Sequence, residues 1–240
     1  MITLCLDFGN TRLKAAIFTQ DNFTTDMVIE GDPLAFIESL IAQYKPGKSI
    51  LSSVINHDVA IETLLASKTK FHKLTYATKL NFSSPVGKPE TIGADRLALV
   101  AAAVHFYPGK NNLVIGLGSC ITYNFVNHLA HFLGGSISPG MDMRFRSMHE
   151  YTAKLPLVQA EWNIPLIGYD TKTNLQSGVI MGMANEIEGF IGKYNERYGN
   201  FNVVLTGGNS AYFASQLKNK IFADSNFLFK GLYALSELNN

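Results

Sequence analysis

The sequence predicts an α/β protein made of two similar halves, each a mixed sheet with flanking helices, with a ligand cleft between them. Three observations carry this expectation. Three strand-like segments followed by alternating helices and strands occur twice along the chain. Glycine-rich turns stand at strand ends, two of them at matching places in the two halves. A hydrophobic content of 47% against 16% charged residues gives 240 residues a substantial core. The halves divide into residues 1–111 and 112–240.

The first half opens with strands "ITLCLD", "TRLKAAIFT" and "NFTTDMVIE", punctuated by glycine, asparagine and aspartate as hairpins require. A helix follows in "DPLAFIESLIAQY", with Asp32 as N-cap and Pro33 in the first turn. Strand "SILSSVI", helix "HDVAIETLLASKTK" and strand "FHKLTYA" come next. After the loop "TKLNFSSPVGKPETIG", helix "ADRLALVAAAVHFY" runs to the stop at Pro108-Gly109. The second half repeats the order with strands "NLVIGL", "CITYNFVN" and "AHFLGGSIS" and helix "MDMRFRSMHEYTAKL". A proline-punctuated segment from Leu155 to Tyr169 leads to a long helix from about Thr171. Strand "NVVLTGG", helix "SAYFASQLKNK", strand "NFLFK" and helix "GLYALSEL" complete the chain.

The net charge of +1 without a basic cluster argues against nucleic acid or an anionic membrane as partner. The longest apolar stretch, around "LALVAAAV", is too short to span a bilayer. The two cysteines, Cys5 and Cys120, sit in apolar strand-like runs and read as buried free thiols in a reducing compartment. "MITLCLDFGNT" enters a strand at once, without a leader, so a cytoplasmic setting is expected.

Three turns carry candidate chemistry. In "DFGNT", Gly9 permits a tight turn, Asn10 tolerates unusual φ and Thr11 adds a hydroxyl, a combination that can expose backbone N–H groups to an anion. Asp7 at the strand tip suits Mg²⁺ held through water, and Lys14 is within reach of the same phosphates. An ordinary hairpin with a polar turn is the alternative. "GLGSC" occupies the equivalent place in the second half, and "LTGGN" joins a strand to a helix through Gly207 and Gly208. Together the three turns point to a nucleotide. In "GADR", Asp95 falls in the first turn of a helix, where it is either a cap or the acceptor of a hydroxyl proton. His128 and His131 lack the further ligands of a metal site and read as a hairpin tip.

At these residues the chain resembles the type III pantothenate kinases, of the acetate kinase, sugar kinase, Hsp70 and actin superfamily. "DFGNT" with Lys14 matches the family's first phosphate motif, "IGADR" its substrate motif, and "GGSISPG" its G-G-x-I-x-P-G segment. "TAKLP", "TKTNLQSG", "VVLTGG" and "LKGL" follow in the family's order. The resemblance implies two stacked actin-like (ribonuclease H-like) domains, a homodimer, and ATP-dependent phosphorylation of pantothenate with Mg²⁺ and a monovalent cation, K⁺ or NH₄⁺. By position it implies that Asp7, Phe8, Gly9, Asn10, Thr11, Arg12, Leu13 and Lys14 bind ATP, with Ser119, Gly207 and Gly208 on its other side. Asp95 becomes the base, and Val86, Gly93, Ala94, Asp95, Arg96 and Thr171 the pantothenate contacts.

The chain departs from the family at two of these places. Gly116 stands where the family's D-x-G-T-x-x-T turn has the aspartate of the cation site, Ser119 replaces a threonine, and Thr122 is retained. Val86 stands where a tyrosine is usual. The missing carboxylate leaves two expectations, a kinase with an altered cation site or a non-catalytic binder of nucleotide or pantothenate with a regulatory role. Retention of Asp7, Asn10, Thr11, Asp95 and Arg96 favours the enzyme.

Overall fold

A computed structural model describes residues 1–85 and 87–240. Val86, expected at the pantothenate site, lies outside the described residues. The chain forms two compact units. The first comprises Met1–Gly109, Val126–Gly134 and Asn226–Asn240; the second comprises Lys110–Phe125 and Gly135–Ser225. Among the described residues no helix is long and apolar enough to cross a membrane.

In the first unit, β1 (Ile2–Phe8), β2 (Leu13–Thr19) and β3 (Asn22–Val28) form a meander. Helix α1 (Pro33–Tyr44) then leads to β4 (Lys48–Ser53), α2 (Val59–Lys68) and β5 (Lys70–Lys73). The sheet order is β3-β2-β1-β4-β5, with β1, β4 and β5 mutually parallel. Helix α1 starts as the sequence dictates: the Asp32 carboxylate accepts from the amides of Leu34 and Ala35 ahead of Pro33. Asp58 caps α2 in the same way. Leu4, Leu6, Phe8, Ala15, Ile17, Ile37, Leu51 and Leu65 close the core beneath α1 and α2. Each fully buried leucine or isoleucine there contributes about 1.5–3 kcal/mol. Helix α3 (Ala94–Phe106) is buried along most of its length.

The second unit repeats the plan. β6 (Asn111–Leu117), β7 (Cys120–Val126) and β8 (Phe132–Pro139) precede α4 (Met141–Glu150) and the 28-residue α5 (Thr171–Tyr198). Then come β9 (Phe201–Gly207), α6 (Ser210–Gln216) and the two-residue β10 (Phe222–Ala223). The sheet order is β10-β9-β6-β7-β8, with β6, β9 and β10 parallel. Tyr123, Phe125, Met183, Ile187 and Phe213 pack its core against α5 and α6.

Two expectations are corrected. "NFLFK" is not a strand: it opens α7 (Phe227–Asn239). Its buried residues Phe227, Gly231, Leu232, Leu235 and Ser236 recur at helical spacing, and a short apolar run alone does not separate the two periods. The helix after Gly140 stops at Glu150 rather than running through "YTAKL". There the Thr152 hydroxyl donates to the Met148 carbonyl at 2.6 Å, and Pro156 disfavours helical geometry at Leu155. Helix α7, which a division at 111/112 leaves in the second half, packs on α3, β1 and β4 of the first unit.

Candidate active site

The β1–β2 hairpin places the first turn. Hydrophobic β1 buries all but its ends, so Asp7 emerges at the strand's C-terminal tip, in register with Lys14 on β2 and Ser52 on β4. Cross-strand partners share a face of the sheet, so the three side chains meet. The Ser52 hydroxyl donates to the Asp7 carboxylate at 3.3 Å. The turn closes through the Gly9 amide on the Arg12 carbonyl at 3.2 Å, leaving Asn10, Thr11 and Arg12 exposed.

Asp95 reaches the same region from the first turn of α3. Its carboxylate folds back over Gly93, where a Cβ would lie 2.4 Å from Oδ1, so a side chain at 93 would displace the acid. Arg96 packs over the Phe132 ring at 5.6 Å, and Phe132 also meets Phe82 edge-on. Ser83 pairs with His131 across the loop, which assigns His131 to main-chain pairing at the β7–β8 hairpin.

The electrostatics mark Asp7 and Asp95 as a working pair. Burial, reinforced by the negative charge of Asp95, pushes the Asp7 carboxyl up to about 7, against opposing contributions from Lys14 and Ser52. Burial also raises Asp95, although the Arg96 amide and guanidinium offset part of it. Two half-neutralised carboxyls in one buried place suit a divalent cation, which relieves both desolvation and mutual repulsion. Mg²⁺ typically takes one or two carboxylates and completes its shell with water and phosphate oxygens, so this donor set fits it. No cluster of three or more His, Cys, Asp and Glu side chains suited to a metal exists among the described residues.

In the second unit, parallel pairing of β6 and β9 sets "GLGS" beside "TGG": Gly116 is in register with Thr206, and Leu117 with Gly207. Gly207 has φ +103°, and a Cβ there would lie 2.2 Å from the Leu117 carbonyl oxygen, so only glycine allows the two turns to touch. The Gly140 amide donates to the Ser119 carbonyl at 3.0 Å, bringing the start of α4 to the same turn. The Thr122 hydroxyl is buried and accepts from Asn124 at 3.2 Å. Gly116 offers no side-chain ligand, so the turn does not fit a carboxylate-held monovalent cation. Thr171 is the first residue of α5, exposed beside the capping box of Asp170 and Thr173.

The structure therefore gathers Asp7, Lys14, Gly93, Asp95 and Arg96 in the first unit, and Gly116, Ser119, Gly207 and Gly208 in the second. Sequence reading missed Ser52. Its signal was weak, a serine one residue from the end of a strand parallel to β1.

This two-sheet arrangement is the actin-like fold of ATP-dependent phosphotransferases. A solved chain from Campylobacter jejuni, described as a Baf family transcriptional activator, superposes with a TM-score of 0.62 at 19% identity over 98% of both chains. One from Sinorhizobium meliloti, described as a 2-dehydro-3-deoxygalactonokinase, does so with a TM-score of 0.60 at 12% identity over 98% of both. The family model for type III pantothenate kinase matches residues 3–193, and the type III pantothenate kinase of Christiangramia forsetii is 40% identical over 240 residues, 99% of each chain. The chain belongs to the type III pantothenate kinase family.

Proposed function

We infer that this protein transfers the γ-phosphoryl group of ATP to the primary hydroxyl of pantothenate, the first step of coenzyme A biosynthesis. The observation that carries the assignment to these residues is the buried Asp7–Asp95 pair, set at a strand tip and a helix start in a chain of this family. Residues 1–111 supply the phosphate turn and the base in this reading, and residues 112–240 the adenosine side.

The turn from Asp7 to Lys14 receives the triphosphate, with Lys14 and the turn amides facing its negative charge. Mg²⁺, when bound, neutralises charge developing on the phosphate oxygens; Asp7 would hold it through water. Asp95 accepts the proton of the attacking hydroxyl as the new O–P bond forms and the bond to the β-phosphate oxygen breaks. Arg96, steadied on Phe132, faces the acidic substrate with Gly93 and Ala94. Ser119, Gly207 and Gly208 line the nucleotide's other side, and Thr171 reaches pantothenate.

Gly116 carries no charge to concentrate K⁺ or NH₄⁺, so turnover proceeds with weak dependence on either ion. The protein works in the cytoplasm as a homodimer; Ile167 and Tyr169, 82% and 81% exposed, belong to an apolar segment suited to contact with a second copy. The test is ADP release with Mg-ATP and pantothenate, with K⁺, NH₄⁺ or neither. Asp95→Asn should lower kcat by about 10²–10⁴-fold, the usual contribution of a general base, with ATP binding retained. A wild-type rate in that variant would remove Asp95 from the chemistry.

A further inference from the structure

Ser52 and Ser53 are consecutive in β4 and so point to opposite faces. Ser52 serves Asp7. Ser53 begins a second polar chain on the other side of the sheet. Its hydroxyl donates to the Ile55 carbonyl at 2.9 Å and lies 3.0 Å from His57 Nδ1. His57 Nε2 lies 2.9 Å from Glu62 Oε1, and Lys73 Nζ reaches that same oxygen at 2.7 Å. A carboxylate only accepts, and the serine hydrogen is already given to Ile55, so both ring nitrogens act as donors. The ring is thus fixed at both ends, with a side chain only 9% exposed.

This fixed ring faces the phosphate turn. It meets the fully buried Phe8 edge-on, with centroids 5.3 Å apart and planes at 88°. Phe8 lies between Asp7 and Gly9, and its carbonyl accepts from the Val54 amide at 3.0 Å. A cavity of about 170 Å³ borders Phe8, Leu13, Ile55 and His57. With open space on that flank, the packing alone does not fix the Phe8 ring; the edge of His57 does. No member of the chain touches the Asp7 carboxylate itself, so any influence on it passes through Phe8 and the main chain.

We propose that His57 is a positioning residue for phosphoryl transfer: held by Ser53 and Glu62, it braces Phe8 and thereby fixes the main chain of Asp7–Gly9 that receives Mg-ATP. The proposal rests on reading the 7–14 turn as the ATP phosphate site. Lys73 contributes by keeping Glu62 ionised, since its ammonium holds that carboxyl below the usual range.

His57→Ala should lower kcat/KM for ATP about fivefold to tenfold, the scale of an aromatic edge contact, and leave KM for pantothenate unchanged. Weaker folding alone would reduce the active fraction without that split. Glu62→Gln keeps an acceptor for Nε2–H and should retain most of the activity, whereas Glu62→Ala should behave like His57→Ala. In a Phe8→Leu background, His57→Ala should cost almost nothing further; additive losses would overturn the proposal. Should His57→Ala fail to fold, the two Glu62 variants decide the matter by the same split.

Calorimetric binding of Mg-AMPPNP separates this proposal from the assignment of substrate. If wild type binds it without phosphorylating pantothenate, and His57→Ala binds it about fivefold more weakly, the brace stands and the substrate reading falls. If pantothenate is phosphorylated but His57→Ala leaves both the AMPPNP affinity and KM for ATP unchanged, the brace falls alone. A wild-type chain that binds no Mg-AMPPNP removes both.

Discussion

Replacing Asp7 by asparagine separates what this carboxylate costs the fold from what it contributes to nucleotide binding. Its pKa is raised from 3.8 to about 7, by burial first and by Asp95 second. A carboxyl that holds its proton longer in the folded chain than in the unfolded one favours the folded state below the unfolded pKa. That advantage is lost as pH rises through about 7. Between pH 5 and pH 8 the unfolded group is already ionised while the folded one becomes so. At about 1.36 kcal/mol per pKa unit, the metal-free protein loses on the order of 2–3 kcal/mol over that interval through Asp7 alone. Asparagine keeps an acceptor for Ser52 and does not titrate. The stability of Asp7→Asn relative to wild type should therefore grow by about that amount from pH 5 to pH 8, measured by urea unfolding in EDTA. The same variant should lose Mg-ATP-dependent turnover. Parallel stability curves for the two proteins across that range would refute the account of Asp7 as a buried, repelled carboxylate.

Other expectations follow from the same geometry. Gly116→Asp should increase activation by K⁺, read as ADP release across a KCl series; an unchanged response would mean that position 116 does not face the cation. Gly207→Ala combines a positive φ with a clash on Leu117, and should cost about 2–4 kcal/mol of unfolding free energy and most nucleotide binding. Glu186 accepts from Tyr123 at 3.0 Å and Ser138 at 2.5 Å and pairs with Arg144. Its burial opposes ionisation, but those donors, Arg144 foremost, keep it ionised. Glu186→Ala should cost about 2 kcal/mol in urea unfolding, with Arg144 and Tyr123 left short of a partner.

Local signals made much of the fold legible. Asp32-Pro33 and Asp58 announce helices through chemistry confined to a few residues, and those helices start where expected. "NFLFK" was misread because five mostly apolar residues carry no period; only packing on α3 shows which face is buried. The candidate site divides similarly. Asp7 and Asp95 each stand in a recognisable turn, so their types and places could be named. Their mutual effect could not, because it depends on α3 bringing position 95 to the tip of β1. The Ser53–His57–Glu62 chain was invisible for the same reason. Its members are spaced irregularly, and only the turn after β4 converts that spacing into contact.

The C-terminal helix gives the molecule an order of completion. Lys48 bonds to Glu237, the Tyr233 hydroxyl to Asp21, and Asn239 to the main chain at Lys79, so the last residues made fasten parts of the first unit synthesised long before. During translation the sheet that bears Asp7 must wait, one face uncovered, until α7 leaves the ribosome. Removing the final helix would thus injure the N-terminal unit more than the second, and a stop codon near residue 226 would expose the apolar side chains around α3 to aggregation. The segment that opens the gene product is the one whose folding finishes last.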